Sequence, residues 1–159
     1  MTSSHTGSLA ESALLWDALI HQCGAIRVDC LEEMVDTVKA LQFLPPLLGT
    51  GVGLTGGAGG QSVSMTDAFA KAGMAVPRLS EASLERLASF FTLVGASYQN
   101  PIDMGSNRDH FGEILSTLIG DENIDVLVMQ LSAQMWVRTP NLIEGQIADL
   151  TEVRRQQEK

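Results

Sequence analysis

The sequence predicts an α/β protein, a parallel β-sheet flanked by helices. Three observations predict it. Strand-like and helix-like segments alternate along most of the 159 residues, and such alternation builds right-handed βαβ units. Ile124–Leu131 is apolar at nearly every position, as suits a parallel strand covered on both faces. Gly56–Gly60 stands between a strand-like stretch and an amphipathic one, the punctuation of a strand–turn–helix unit.

The first ten residues read as a loop. From about Glu11 the pattern is helical: Leu14, Leu15, Ala18, Leu19 and Gln22 share one side, Ser8 or Ser12 can cap the start, and Gly24 stops it. Ala25–Val28 is a short strand. Asp29 or Cys30 opens a second helix from Leu31 to about Leu44, with Met34, Val35, Val38 and Leu41 inward and Glu32 and Glu33 in its first turn. Pro45-Pro46 ends it and marks the clearest boundary in the chain. It separates residues 1–46 from residues 47–159.

After the boundary, Gly51–Thr55 reads as a strand. Gln61–Ala72 is a helix with Val63, Ala68, Phe69 and Ala72 on its buried side, closed by Gly73. Met74–Pro77 is a strand at or near an edge. Ser80 caps a helix across Ser83–Phe91, residues 95–106 form a loop, and a helix runs from about Arg108 to Ile119. After the strand at Ile124–Leu131, Pro140 precedes a last helix from about Asn141 to Gln156. With three strands after Pro46, the sheet reads as incomplete.

Composition narrows the function classes. Ten Lys and Arg against 19 Asp and Glu give a net charge of −9. No basic cluster is present to neutralise nucleic-acid phosphates. No apolar run approaches the roughly 18 residues of a membrane span, and residues 1–12 lack the basic start of a signal peptide. Cys23 and Cys30 suit neither a zinc site nor a disulfide framework, so no metal site and a reducing, cytoplasmic setting are expected.

The stretch richest in chemistry is Ser4-His5-Thr6-Gly7-Ser8-Leu9-Ala10. A neutral imidazole nitrogen at His5 can attack phosphorus near pH 7. Thr6, Gly7 and Ser8 can hold phosphate oxygens through hydroxyls and closely approaching N–H groups. The plainer alternative is a terminal loop that happens to contain a histidine. The second candidate is the turn Gly57, Ala58, Gly59, Gly60 and Gln61, where converging N–H groups and a helix dipole make an anion pocket, or else simply a tight turn. Asn100 and Asp103, in Asn100-Pro101-Ile102-Asp103, can bind substrate or brace their own turn.

The segment Ser4–Ala10, with Ser12, Trp16-Asp17-Ala18 and Gly24-Ala25-Ile26-Arg27-Val28-Asp29, resembles the NDP-forming (ADP-forming) acyl-CoA synthetases, relatives of succinyl-CoA synthetase. The resemblance extends over roughly residues 2–131. It implies a flavodoxin-like sheet and makes His5 the phosphorylated residue. The family's T-N-A-G-G-P-G matches the turn at Gly56–Gln61, with Gly57 in place of Asn and Gln61 in place of Pro. Its N-P-V-D matches Asn100–Asp103. Glu11 stands where the family usually has Gly.

By this resemblance residues 1–46 are the phosphohistidine loop and terminal helices of a CoA-ligase domain, and residues 47–159 are part of a following flavodoxin-like domain. The implied reaction joins a carboxylic acid to CoA while NTP is cleaved to NDP and phosphate. CoA, ATP or ADP, and Mg²⁺ belong to the complete enzyme, and none is expected on this fragment alone. The implied partners are CoA-binding and ATP-grasp domains or subunits, with a second copy of the chain as an open alternative. A different class stays open as well: a non-catalytic flavodoxin-like ligand-sensing or assembly module of an acyltransferase fusion.

Overall fold

The computed structural model describes residues 13–56 and 59–157. The chain divides into two compact units, Met1–Pro46 and Leu47–Lys159.

The described part of the first unit is two helices, α1 (Ala13–Cys23) and α2 (Leu31–Phe43). Cys30 caps α2: its Sγ accepts from the Glu33 N–H at 3.5 Å, while the Glu33 carboxylate accepts from the Asp29 N–H at 2.6 Å. Two orphan donors at the helix start are thereby satisfied. Arg27 pairs with Asp17 of α1 and lies 3.7 Å from Asp29. Two expectations fail here. Ala25–Val28 forms no strand, because no described neighbour offers it a ladder. The stripes expected to face inward lie open: Leu15 is 63% exposed and Val38 53%. No described residue of this unit is buried.

The second unit contains the sheet. β1 (Val52–Thr55) pairs in parallel with β2 (Val126–Met129), Val52 opposite Val126 and Thr55 opposite Met129. The other edge of β1 carries two short pairings. Ala75 exchanges hydrogen bonds with Val52 and Thr50 at 2.8 and 2.9 Å, and the Ile102 N–H donates to Leu54 O at 2.8 Å. β1 is therefore central and buried throughout. The expected strand at Met74–Pro77 shrinks to the single bridge at Ala75. β2 is half-buried rather than covered on both faces, because no described strand lies beyond it.

Helices follow in the order α3 (Gly59–Lys71), α4 (Glu81–Ala88), a 3₁₀ turn at Asn107–His110, α5 (Phe111–Ile119), α6 (Ala133–Arg138) and α7 (Pro140–Gln157). Phe111, Ile114, Leu115 and Leu118 recur at helical spacing and are all buried on α5. They form the core with Leu84 and Leu87 of α4, Val153 of α7, and Leu79, Phe91, Ile102 and Met104 from the connections. Ser80 caps α4 as expected, its hydroxyl accepting from the Ser83 N–H at 3.3 Å. Pro140 takes the first position of α7, where a missing N–H costs nothing. The buried side expected for α3 holds only at Phe69, which is half-buried. Val63 is 62% exposed, Ala68 and Ala72 are exposed, and Ser62 is the buried residue. A helix buries whichever stripe meets a neighbour, and α3 meets the sheet at β1.

Candidate functional site

β1 ends at Thr55, and Gly56 turns the chain away from it. Gly56 has φ +91°, and a Cβ on it would fall 2.4 Å from the Gln130 carbonyl oxygen, so glycine is required twice over. Three residues on, at Gly59, α3 begins. The helix starts at Gly59, so Gly59 and Gly60, expected in the turn, join Gln61 in its first turn, and both glycines are exposed. This places the positive end of a helix at the carboxyl end of the central strand, where α/β sheets bind ligands. Gly57 and Ala58 lie outside the described residues, as do His5, Thr6, Gly7 and Ser8.

Facing the start of α3 is the Asn100–Asp103 segment. The Asn100 side chain fills the gap between the two short pairings on the free edge of β1. Its Oδ1 accepts from the Leu54 N–H at 2.9 Å, and its Nδ2 donates to Val52 O at 2.8 Å and Pro77 O at 2.9 Å. One side-chain amide thus does the work of a strand's peptide group. Asn100 is committed to the sheet. Asp103 is held differently. Its backbone exchanges hydrogen bonds with Ser97 at 2.9 and 3.0 Å, and its Oδ1 accepts from the Gly105 N–H at 3.2 Å. Its Oδ2 comes within 4.0 Å of where a Cβ on Gly59 would sit. The half-buried Asp103 therefore lies beside the α3 N-terminus.

Between these elements is a hollow of about 390 Å³ lined by Gly59, Ser62, Val63, Thr66 and Asp67 of α3 and by Ser97, Pro101 and Asp103 opposite. Its size falls in the range of small-molecule sites. Gly59, Val63, Thr66 and Asp67 stand zero, four, seven and eight residues along the helix, one stripe. That spacing is the signal from which Val63, Thr66 and Asp67 could have been assigned to the site. The Thr66 hydroxyl donates to Ser62 O at 2.9 Å. Among the described residues no group of three or more His, Cys, Asp or Glu is gathered to hold a metal ion.

The other histidines have plain roles. His110 pairs with Glu113, and its ring lies 5.0 Å from that of Phe90. His21 is exposed on α1. Asp121, buried, gathers the start of α4. Its Oδ2 accepts from the Ser80 N–H and hydroxyl, each at 2.8 Å, and its Oδ1 from the Asn123 N–H at 2.9 Å. Burial pushes its carboxyl up, but hydrogen bonds from Ser83, Asn123 and Ser80 outweigh that and hold it below its ordinary value.

The family model for the succinyl-CoA ligase-like flavodoxin domain matches residues 1–41. The chain is 33% identical over 129 residues, 79% of its length, to subunit alpha of the ADP-forming acetate–CoA ligase II of Pyrococcus furiosus. The chain belongs to the NDP-forming acyl-CoA synthetase family. The 4-hydroxybutyrate–CoA ligase (ADP-forming) of Nitrosopumilus maritimus is another relative, 33% identical over 67% of this chain. Acid–CoA ligation is the chemistry these relatives' names share. The chain spans 28% of the length of the first relative and 15% of the second.

Among solved structures, the dinucleotide forming acetyl-coenzyme A synthetase 1 of Ca. Korarchaeum cryptofilum, in complex with phosphate and ADP, superposes with a TM-score of 0.76. Its identity is 23%, and the match covers 95% of this chain and 33% of that one. A protein of Pyrococcus horikoshii superposes with a TM-score of 0.74 at 28% identity, covering 91% of this chain and 34% of that one. The fold is thus the α/β, flavodoxin-like one of this family, with a small parallel sheet flanked by helices. No helix among the described residues is long and apolar enough to cross a membrane.

Proposed function

We propose that this chain supplies the phosphohistidine segment and the α/β unit that follows it in an NDP-forming acyl-CoA synthetase. The observation that supports this best is the family-model match over residues 1–41, which includes Ser4–Ala10 and so His5. Residues 1–46 are then the phosphohistidine loop with the terminal helices of one domain, and residues 47–159 are part of a second, flavodoxin-like domain. The remaining work falls to CoA-binding and ATP-grasp domains or subunits.

In the direction of acyl-CoA synthesis, an imidazole nitrogen of His5 takes the γ-phosphoryl group of the nucleoside triphosphate, and the P–O bond to NDP breaks. The carboxylate of the acid then takes the phosphoryl group from His5 and becomes an acyl phosphate. The CoA thiolate attacks the acyl carbon, and phosphate leaves. Imidazole suits the middle position because it is nucleophilic when neutral and leaves readily when protonated. Thr6, Gly7 and Ser8 serve to hold phosphoryl oxygens. Gly57, Ala58, Gly59, Gly60 and Gln61, at the α3 N-terminus, serve as a second phosphate-binding segment. Asp103, facing that N-terminus, orients the incoming group, while Asn100 acts by fixing the loop that carries Asp103. Mg²⁺ arrives with the nucleotide and screens its phosphate charge.

The test uses the chain joined to the rest of the enzyme and supplied with labelled ATP and Mg²⁺. The label should appear on His5 and be acid-labile and base-stable, as a phosphorus–nitrogen bond is. His5→Asn should abolish labelling and thioester formation together. Acyl-CoA made at an undiminished rate by His5→Asn overturns the reading in favour of a non-catalytic ligand-sensing or assembly module.

A further inference from the structure

The carboxyl end of β2 holds a second, smaller cavity, of about 40 Å³. It shares no lining residue with the hollow beside α3: Asp103 lines that hollow, and Met104, the next residue, lines this cavity. Met104, Ile143 and Gln146 are buried and make its floor. Arg108, Leu131 and Ser132 are exposed and make its mouth.

Gln130 is the side chain this cavity is built around. In the run Val126–Leu131 it is the one polar residue. Its main chain is held at the end of the sheet, its N–H donating to Thr55 O at 2.9 Å. Its side chain lines the cavity, and its Oε1 is buried with no hydrogen-bond partner. A buried acceptor without a donor costs stability, and native proteins pair such groups with protein, water or ligand. Gln146 is 7% exposed, and its side chain makes no hydrogen bond among the described residues. Two carboxamides without described partners thus line one space, with room for about three water-sized groups.

The lining selects the ligand. Gln130 Oε1 needs an N–H or O–H donor, whereas the Gln146 amide and the Ser132 hydroxyl can each donate or accept. No carboxylate lines the cavity among the described residues, so a cation finds no countercharge there. A carboxylate ligand brings no donor for Gln130 Oε1. A neutral group that both donates and accepts within three heavy atoms is a primary amide. We propose that this cavity binds a primary amide, whose NH₂ donates to Gln130 Oε1 and whose carbonyl accepts from the Gln146 amide. The cavity stands at the carboxyl end of the sheet, where α/β proteins bind ligands. It uses none of the residues assigned to phosphoryl transfer.

The test uses the whole 159-residue chain. Acetamide at up to about 100 mM should shift the backbone amide signals of Gln130, Ser132 and Gln146 saturably, a weak affinity suited to so small a molecule. The side-chain NH₂ signals of both glutamines should move with them. Acetate and methylammonium should bind at least about ten times more weakly. A free small amide and the amide end of a longer ligand share this chemistry, and hexanamide separates them. Tighter binding of hexanamide, with shifts spreading to Arg108 and Leu131, assigns a longer ligand that leaves through the mouth. A response to acetamide alone assigns a small free amide.

Gln130→Met and, separately, Gln146→Met should abolish the response, since methionine fills a similar space without the amide. Acetamide should also raise the urea midpoint of the wild type and leave that of Gln130→Met unchanged. If one variant fails to fold, the other and the wild-type titrations still decide. Acetate shifting the same signals as strongly as acetamide overturns the proposal. So does an unchanged response in a folded variant. A cavity that holds water alone gives no shift with either amide, and that result overturns it too. His5→Asn should leave every readout as it is, so this site and the phosphohistidine reading can fail separately.

Discussion

Leu15 and Leu118 are the same residue in two helices of the same apolar pattern, yet Leu15 is 63% exposed and Leu118 fully buried. The difference is what lies opposite. α5 packs between α4, α7 and β2, whereas α1 has no described neighbour on its apolar side. Periodicity specifies which stripe of a helix wants to leave water, and only tertiary structure supplies the place for it to go. The second unit therefore stands on its own core. The first carries equivalent stripes unspent.

The largest expected effect breaks that comparison at its stronger end. Leu118→Ala should destabilise the second unit by about 2–5 kcal/mol, since it empties a fully packed site. Urea unfolding followed by far-UV circular dichroism would read it. In the same experiment Leu15→Ala should move the midpoint by no more than about 0.5 kcal/mol. Equal losses would mean that the first unit's stripe is already covered in the isolated chain.

Asn100 sharpens the comparison next. Asn100→Asp keeps an acceptor for the Leu54 N–H but turns carboxylate oxygen toward Val52 O and Pro77 O. It should cost about 1–3 kcal/mol and raise amide exchange along β1. α1 and α2 should not respond. A loss below about 0.5 kcal/mol would show that the β1 edge holds without the side-chain amide.

The smallest effect is a pH dependence. Asp121 has a folded pKa below its unfolded value, so its contribution is present above about pH 4 and is lost as pH falls through the folded value. Asp121→Asn removes that titration. The gap in urea midpoint between wild type and variant should therefore narrow from pH 7 to pH 3. A constant gap would mean that the carboxylate's hydrogen bonds do not favour its charged form.

Much of the fold was legible in the sequence, for local reasons. Pro45-Pro46 stands where the two units part, Gly56 has the positive φ of a tight turn, and Ser80 and Cys30 cap helices as their side chains suggest. What was not legible depends on neighbours. Val63 looked buried and instead lines the hollow. Ile124–Leu131 looked doubly covered and lies at an edge. Ala133–Arg138, to which the sequence pattern assigned no element, forms a short helix. At the candidate site, Asp103 and Gly59 could be named from motifs and are brought to one hollow by the fold. The bond pattern that commits Asn100 to β1 joins residues 46 and 48 positions apart, which no local spacing reveals.

Those separations also order the events by which the molecule takes shape. β1 meets β2 only when Gly51 finds Asp125, 74 residues along. The free edge of β1 is sealed only when Asn100 reaches back past α3 to Val52 and across to Pro77. Closing such loops costs entropy before any bond rewards it, so long-range parallel pairings form late, while helices such as α5 can begin from neighbouring residues. The wall of the hollow that carries Asp103 hangs from Asn100. That wall is thus among the last parts of the second unit to be completed during folding, and the first to loosen if Asn100 lets go.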